Sequence, residues 1–151
     1  MDDWIAGGSA KENVIFQYGS IENWDLSQTT NMDFIFNGKP DFNDDISKWY
    51  TGNVTSFNGM FYQATSFNGD LSLWNVGGAS NIKDMRAMFY RASSFNGDLS
   101  QWDVSSVTDM NYMFNFASAF SRTLCNKWVT SAATQVSMFD GSDGGIATKP
   151  C

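Results

Sequence analysis

The sequence predicts an α/β solenoid: a stack of about four to five short repeats, each with one strand, a turn and a short helix. Two observations predict it. Four sets of apolar anchors recur with one period along most of the 151 residues. The hydrophobic spacing also changes halfway through each copy, from alternation to steps of three and four. A third observation bounds the class: 42% of the residues are apolar, enough for a buried core, and the length suits one domain.

The anchors define the copies. Tryptophan recurs at Trp24, Trp49, Trp74, Trp102 and Trp128, in steps of 25, 25, 28 and 26 residues. A second set is Ile35-Phe36, Met60-Phe61, Met88-Phe89, Met113-Phe114 and Met138-Phe139. A third is Phe42-Asn43, Phe67-Asn68 and Phe95-Asn96, then Phe120-Ser121. The fourth, just ahead of the tryptophans, is Ile46, Leu71, Leu99 and Leu124. The 28-residue step carries three extra residues around Gly77, Gly78 and Ala79, a loop insertion.

The elements follow in chain order. Residues 1–20, with Trp4, Ile5, Val14, Ile15, Phe16 and Tyr18, form an N-terminal cap over the open end of the stack. The repeats run over 21–128. Within a copy, Ile82, Met85, Phe89 and Ala92, like Val107, Met110, Phe114 and Ala117, step by 3, 4 and 3, the stripe of a short amphipathic helix. Thr108 and Asp109 are its capping residues. Phe-Asn-Gly-Asp then supplies turn chemistry, and Trp102 and Val104 alternate as on a strand. Residues 129–151 form the C-terminal cap and tail. In the core, methionine and phenylalanine do what leucine does in better-known repeats, since the chain has only five leucines.

Charge and composition exclude several functions. With 9 basic and 16 acidic residues the net charge is −7, which argues against a nucleic-acid sleeve or an anionic membrane surface. The chain has no histidine, so histidine-based acid–base chemistry, serine–histidine triads and histidine metal ligands are absent. No stretch approaches the roughly 18–20 apolar residues of a membrane span. The acidic start lacks the basic and apolar regions of a signal peptide, so the chain is read as cytosolic, as processed, or as part of a longer chain. Cys125 and Cys151 are the only thiols. They either form one disulfide pinning the tail to the body, which implies an oxidising compartment, or stay as one buried and one exposed thiol.

The run WDVSSVTDMNYMFNFASAFS, with the neighbouring FNGDLSQWDVS, resembles the BspA-like leucine-rich-repeat family. More narrowly it is similar to a 25-residue repeat first catalogued as a domain of unknown function in mycoplasma surface proteins and found also in diatoms and other microalgae. The resemblance covers about residues 20–140. It implies a right-handed, leucine-rich-repeat-like solenoid with parallel strands on one side. It further implies cell-surface or secreted proteins used in adhesion, and no catalytic residues.

Tryptophans at a strict anchor read as core with the indole N–H bonded to backbone. Asn43, Asn68 and Asn96 read as a ladder that satisfies turn amides. Asp45, Asp70 and Asp98 share one register, so they bond their own turns, splay apart or share a cation. Calcium wants six to eight oxygens, a pattern absent here, and acids that recur in every copy are unlike an active site. The expectation is therefore no enzyme, no metal and no cofactor. The outward strand-side positions vary instead. Lys48, Tyr50, Leu73, Asn75, Gln101, Asp103 and Lys127 are the candidate binding residues, with Tyr50 and Leu73 a mildly apolar spot. The 77–79 insertion is a second candidate.

These readings lead to a non-catalytic module that binds a protein or glycan partner at the cell surface, outside the cell or in an organelle lumen, with the cytoplasm also open. The alternative is a structural subunit or spacer held inside a larger protein assembly. The sequence leaves the oligomeric state open.

Overall fold

The computed structural model describes residues 6–77 and 82–149. Its repeats are built from reverse turns. In the third copy Met88 N–H donates to Met85 C=O at 3.3 Å, Tyr90 to Ala87 at 3.1 Å, and Ala92 to Phe89 at 3.0 Å. Each of these bonds closes a four-residue turn. The amides between them point the other way. Met85, Ala87, Phe89 and Arg91 donate across to Asp109, Asn111, Met113 and Asn115 of the next copy, each at 2.9 Å. The same alternation joins the first copy to the second, the second to the third and the fourth to the fifth. Repeats without α-helix or extended sheet thus still find partners for their buried backbone groups.

The expected α/β solenoid is overturned. Among the described residues the only α-helix is α1 (Gly8–Tyr18), which lies ahead of the repeats. Among the described residues the only sheet is the parallel pair β1 (Thr123–Leu124) and β2 (Gly145–Ile146). Among the described residues the copies hold no α-helix and no parallel strand face; their only helical pieces are single 3-10 turns at Ile21–Asn23 and Asn126–Trp128. What stands in place of a strand face is a set of isolated parallel bridges joining Asn31, Ser56, Asp84, Asp109 and Thr134 in turn. A right-handed, leucine-rich-repeat-like architecture is therefore not what this chain forms; most of it is turn and loop.

The physical reason lies in φ. Ala87 and Arg91 have φ of 51° and 55°, and Tyr112 and Phe116 have 61° and 54°. Each is the third residue of a turn, and the two in each copy lie four positions apart. A left-handed residue at every fourth position stops an α-helix before it completes two turns. Its N–H is redirected to the neighbouring copy, so the helical i−4 bond never forms. Residues Ile82, Met85, Phe89 and Ala92 all face inward and are buried, so the 3-4-3 stripe is real; consecutive turns produce it as well as a helix does. Asp109 caps a turn, accepting the Asn111 N–H at 2.8 Å.

The core is two columns of aromatic rings and one of indoles. Phe36, Phe61, Phe89, Phe114 and Phe139 stack 5.4–5.5 Å apart. Phe42, Phe67, Phe95 and Phe120 stack alongside, each 3.7–4.0 Å from its own copy's first ring. Trp49, Trp74, Trp102 and Trp128 are buried and donate their indole N–H to Ile21, Ile46, Leu71 and Leu99 carbonyls, one copy back, at 2.7–3.0 Å. Offset aromatic contacts add to what burial alone contributes.

At the first end α1 rests Val14 on the core, and Lys11 pairs with Asp44 at 2.8 Å. The other side of α1 is in water, with Phe16 94% exposed. At the far end the chain returns to lay β2 beside β1, with Ala147 N–H bonding Leu124 C=O at 2.8 Å. Trp4 and Ile5 of the expected N-terminal cap, Gly78 and Ala79 of the insertion, and Cys151 lie outside the described residues.

Candidate functional site

The asparagine ladder runs between copies. Asn43 Oδ1 accepts the Asn68 N–H at 2.8 Å, Asn68 Oδ1 that of Asn96 at 2.9 Å, and Asn96 Oδ1 that of Ser121 at 3.2 Å. Of the three readings of the aspartate row, the first holds. Asp45, Asp70 and Asp98 each accept the amide two residues on, from Ser47, Ser72 and Ser100, at 2.9 Å. The Ser47 and Ser100 amides, helped by their hydroxyls, hold the Asp45 and Asp98 carboxyls below the usual carboxylate range. These acids form turns. Among the described residues no cluster of three or more potential metal-binding side chains occurs.

Of the seven candidate binding residues, four come together. Lys48, Tyr50, Leu73 and Asn75 line one surface cavity of about 370 Å³, floored in part by buried Trp49 and Thr51. Leu73 is 74% exposed and Tyr50 52%. The Tyr50 ring lies over Gly52, so close that a Cβ there would sit 2.5 Å from the phenol oxygen. The other three stand apart from that cavity. Gln101 and Lys127 are exposed on later copies. Asp103 is half-buried and accepts the Ser105 N–H at 3.0 Å, a turn-forming role like that of Asp98. The Ser105 hydroxyl, then its amide, holds the Asp103 carboxyl low. Cys125 is buried and disulfide-bonded.

A second and larger cavity, about 550 Å³, opens on the turn side of the repeats. None of its residues is among the seven. It exists because the left-handed turn positions vary in size: Phe34, Gly59, Ala87 and Tyr112 occupy one register in successive copies. Phe34 and Tyr112 stand at either end; the Phe34 ring covers Gly59, and Ala87 is the small residue left between. Tyr62 and Tyr90, their rings stacked 4.6 Å apart, also line the cavity, as do Asn58 and Arg86. The Arg86 guanidinium lies over the Tyr112 ring, 5.7 Å from its centre, and Arg91 sits over Tyr90 and Phe116. The signal in the sequence was the change from aromatic to small at the position just ahead of each Ile-Phe or Met-Phe anchor pair. It was hidden because those positions were assigned to a helix.

Next to this cavity run Asp33, Asp84 and Asp109. Burial pushes the Asp84 carboxyl up, against the pull of the Arg86 N–H it accepts, and the charges on Asp109 and Asp33 push the same way. No helix among the described residues is long and apolar enough to cross a membrane.

No curated protein and no solved structure matches the chain. A family model described as "Mycoplasma protein of unknown function, DUF285" matches residues 9–128 and 77–144, nearly the whole chain, and the chain belongs to that family.

Proposed function

We propose that the protein is a non-catalytic binding module for a protein or glycan partner, of the surface-adhesion kind that its likeness to BspA-like proteins implies. One observation carries the reading. The inward registers repeat the same residue types in every copy, whereas the outward ones change, and two of these leave large apolar side chains in water around a single cavity: Tyr50 and Leu73. Apolar side chains gathered at a cavity mark contact surfaces more often than isolated ones do. The disulfide at Cys125 supports a location outside the reducing cytoplasm.

The test compares wild type with the double variant Tyr50→Ser, Leu73→Glu against a panel of immobilised glycans and surface proteins. Leu73 is 74% and Tyr50 52% exposed, and a thermal melt checks that the variant folds. A saturable ligand held by wild type and lost in the variant supports the reading. Failure of wild type to hold any ligand, with the chain found only inside a larger assembly, would favour a structural subunit.

A further inference from the structure

We infer that the turn-side cavity between Phe34 and Tyr112 is a binding site for a neutral saccharide. This rests on the binding-module reading and adds to it the ligand class and a second, separate site.

Shape comes first. The cavity spans three steps of the stack, and neighbouring core rings are 5.4–5.5 Å apart at each step. Its volume falls within the roughly 300–1,000 Å³ of small-ligand pockets. Ala87 leaves room that Phe34 and Tyr112 close at the ends, so the site is short and bounded.

The lining suits a sugar ring. A pyranose presents apolar C–H faces and a rim of hydroxyls, so it needs aromatic surface with donors and acceptors beside it. Tyr62, Tyr90, Tyr112 and Phe34 supply the first. Asn58, Arg86 and the three phenols supply the second. Among the described residues, none of those phenols, the Asn58 side-chain amide or the Arg86 guanidinium makes a hydrogen bond or ion pair. The Arg86 guanidinium carbon lies 5.7 Å from the centre of the Tyr112 ring, within cation–π range, which places a donor group at that end of the cavity.

Two observations weigh against other ligands. A peptide adding as an extended strand needs free backbone groups. Here they are taken: Gly59 N–H bonds Arg86 C=O, Ala87 N–H bonds Asn111 C=O, and the Tyr62 and Tyr90 carbonyls accept from Gly38 and Gln63, all at 2.8–2.9 Å. An anionic ligand would meet the Asp33, Asp84 and Asp109 row on a protein of net charge −7, with Asp84 already beside Arg86.

The experiment is calorimetric titration of the chain with neutral oligosaccharides (gluco-, xylo-, manno- and chito-series), uronic-acid oligosaccharides, and acidic and aromatic peptides. Ala87→Met fills the cavity floor at a position that already carries a side chain, and Tyr112→Gly removes one end. Thermal melts confirm that both variants fold. The expected result is binding of a neutral series, weakened about tenfold or more in both variants, as loss of several contacts requires. The Tyr50→Ser, Leu73→Glu variant retains that binding. Three results would overturn the proposal: no neutral oligosaccharide binds, binding survives Ala87→Met, or a uronate or peptide is preferred. A ligand lost only in the Tyr50, Leu73 variant would sink this site while leaving the binding-module reading intact.

Discussion

A single residue type, tryptophan, shows how anchors act. Each buried indole fills the core and donates one hydrogen bond to the copy before it, so its removal creates a cavity and breaks a bond between copies. Trp102 is 1% exposed and bonds Leu71 C=O at 3.0 Å. Trp102→Ala is predicted to destabilise by about 3–5 kcal/mol, whereas Gln101→Ala, one residue away and in water, should be neutral in chemical denaturation. The core was legible at this scale because burial selects residue type directly: the Phe, Met and Trp anchors are buried except Trp24 and Phe139, which are only partly so, and the Asn43–Asn68–Asn96 ladder exists. Asp103 was legible only as an outward position; its bond to Ser105 depends on local backbone shape.

At the scale of the element, a turn and a short helix bury the same positions. Met85 to Met88 and Phe89 to Ala92 are each three residues apart in either case. What separates them is the sign of φ at Ala87 and Arg91, and neither alanine nor arginine announces a left-handed conformation. The larger cavity was hidden for the same reason. The bridge register gives a prediction at this scale. Asn31 Oδ1 accepts the amide two residues on, as Asp84 does, so asparagine can replace aspartate there. Because the Asp84 carboxyl is raised, its charge opposes folding above its folded pKa, and that penalty vanishes as the pH falls and the group protonates. Asp84→Asn should therefore raise the melting temperature by a few degrees at most at pH 7 and leave it unchanged at pH 3. Asp25, Asp45, Asp98 and Asp103 act with the opposite sign. Their lowered values give stability that is present above the usual carboxylate range and is lost as pH falls through the folded values.

Across the whole molecule, contacts pass from copy to copy, so stability accrues by neighbouring interfaces and both ends need closing. The far end is closed by β2 on β1 and by the disulfide at Cys125. We propose Cys151 as its partner. Peptide mass mapping should find that cross-link, and reduction should lower stability by about 3 kcal/mol, the chain-entropy value for a loop of about 26 residues. A Cys125 peptide linked elsewhere would refute the pairing. That the copies recur was plain from their anchors. That they stack as turns, with a strand pair only at the end, was not, because backbone bonds between copies leave no mark on residue type.

The account's central claim is that the outward residues are available to a partner. The most direct test is the size of the native, untagged protein in a gentle extract, by gel filtration with mass spectrometry of the peak. The account predicts a peak at the size of the free chain, with Tyr50 and Leu73 open to surface labelling. Elution only within a large assembly, with that cavity covered, would contradict it.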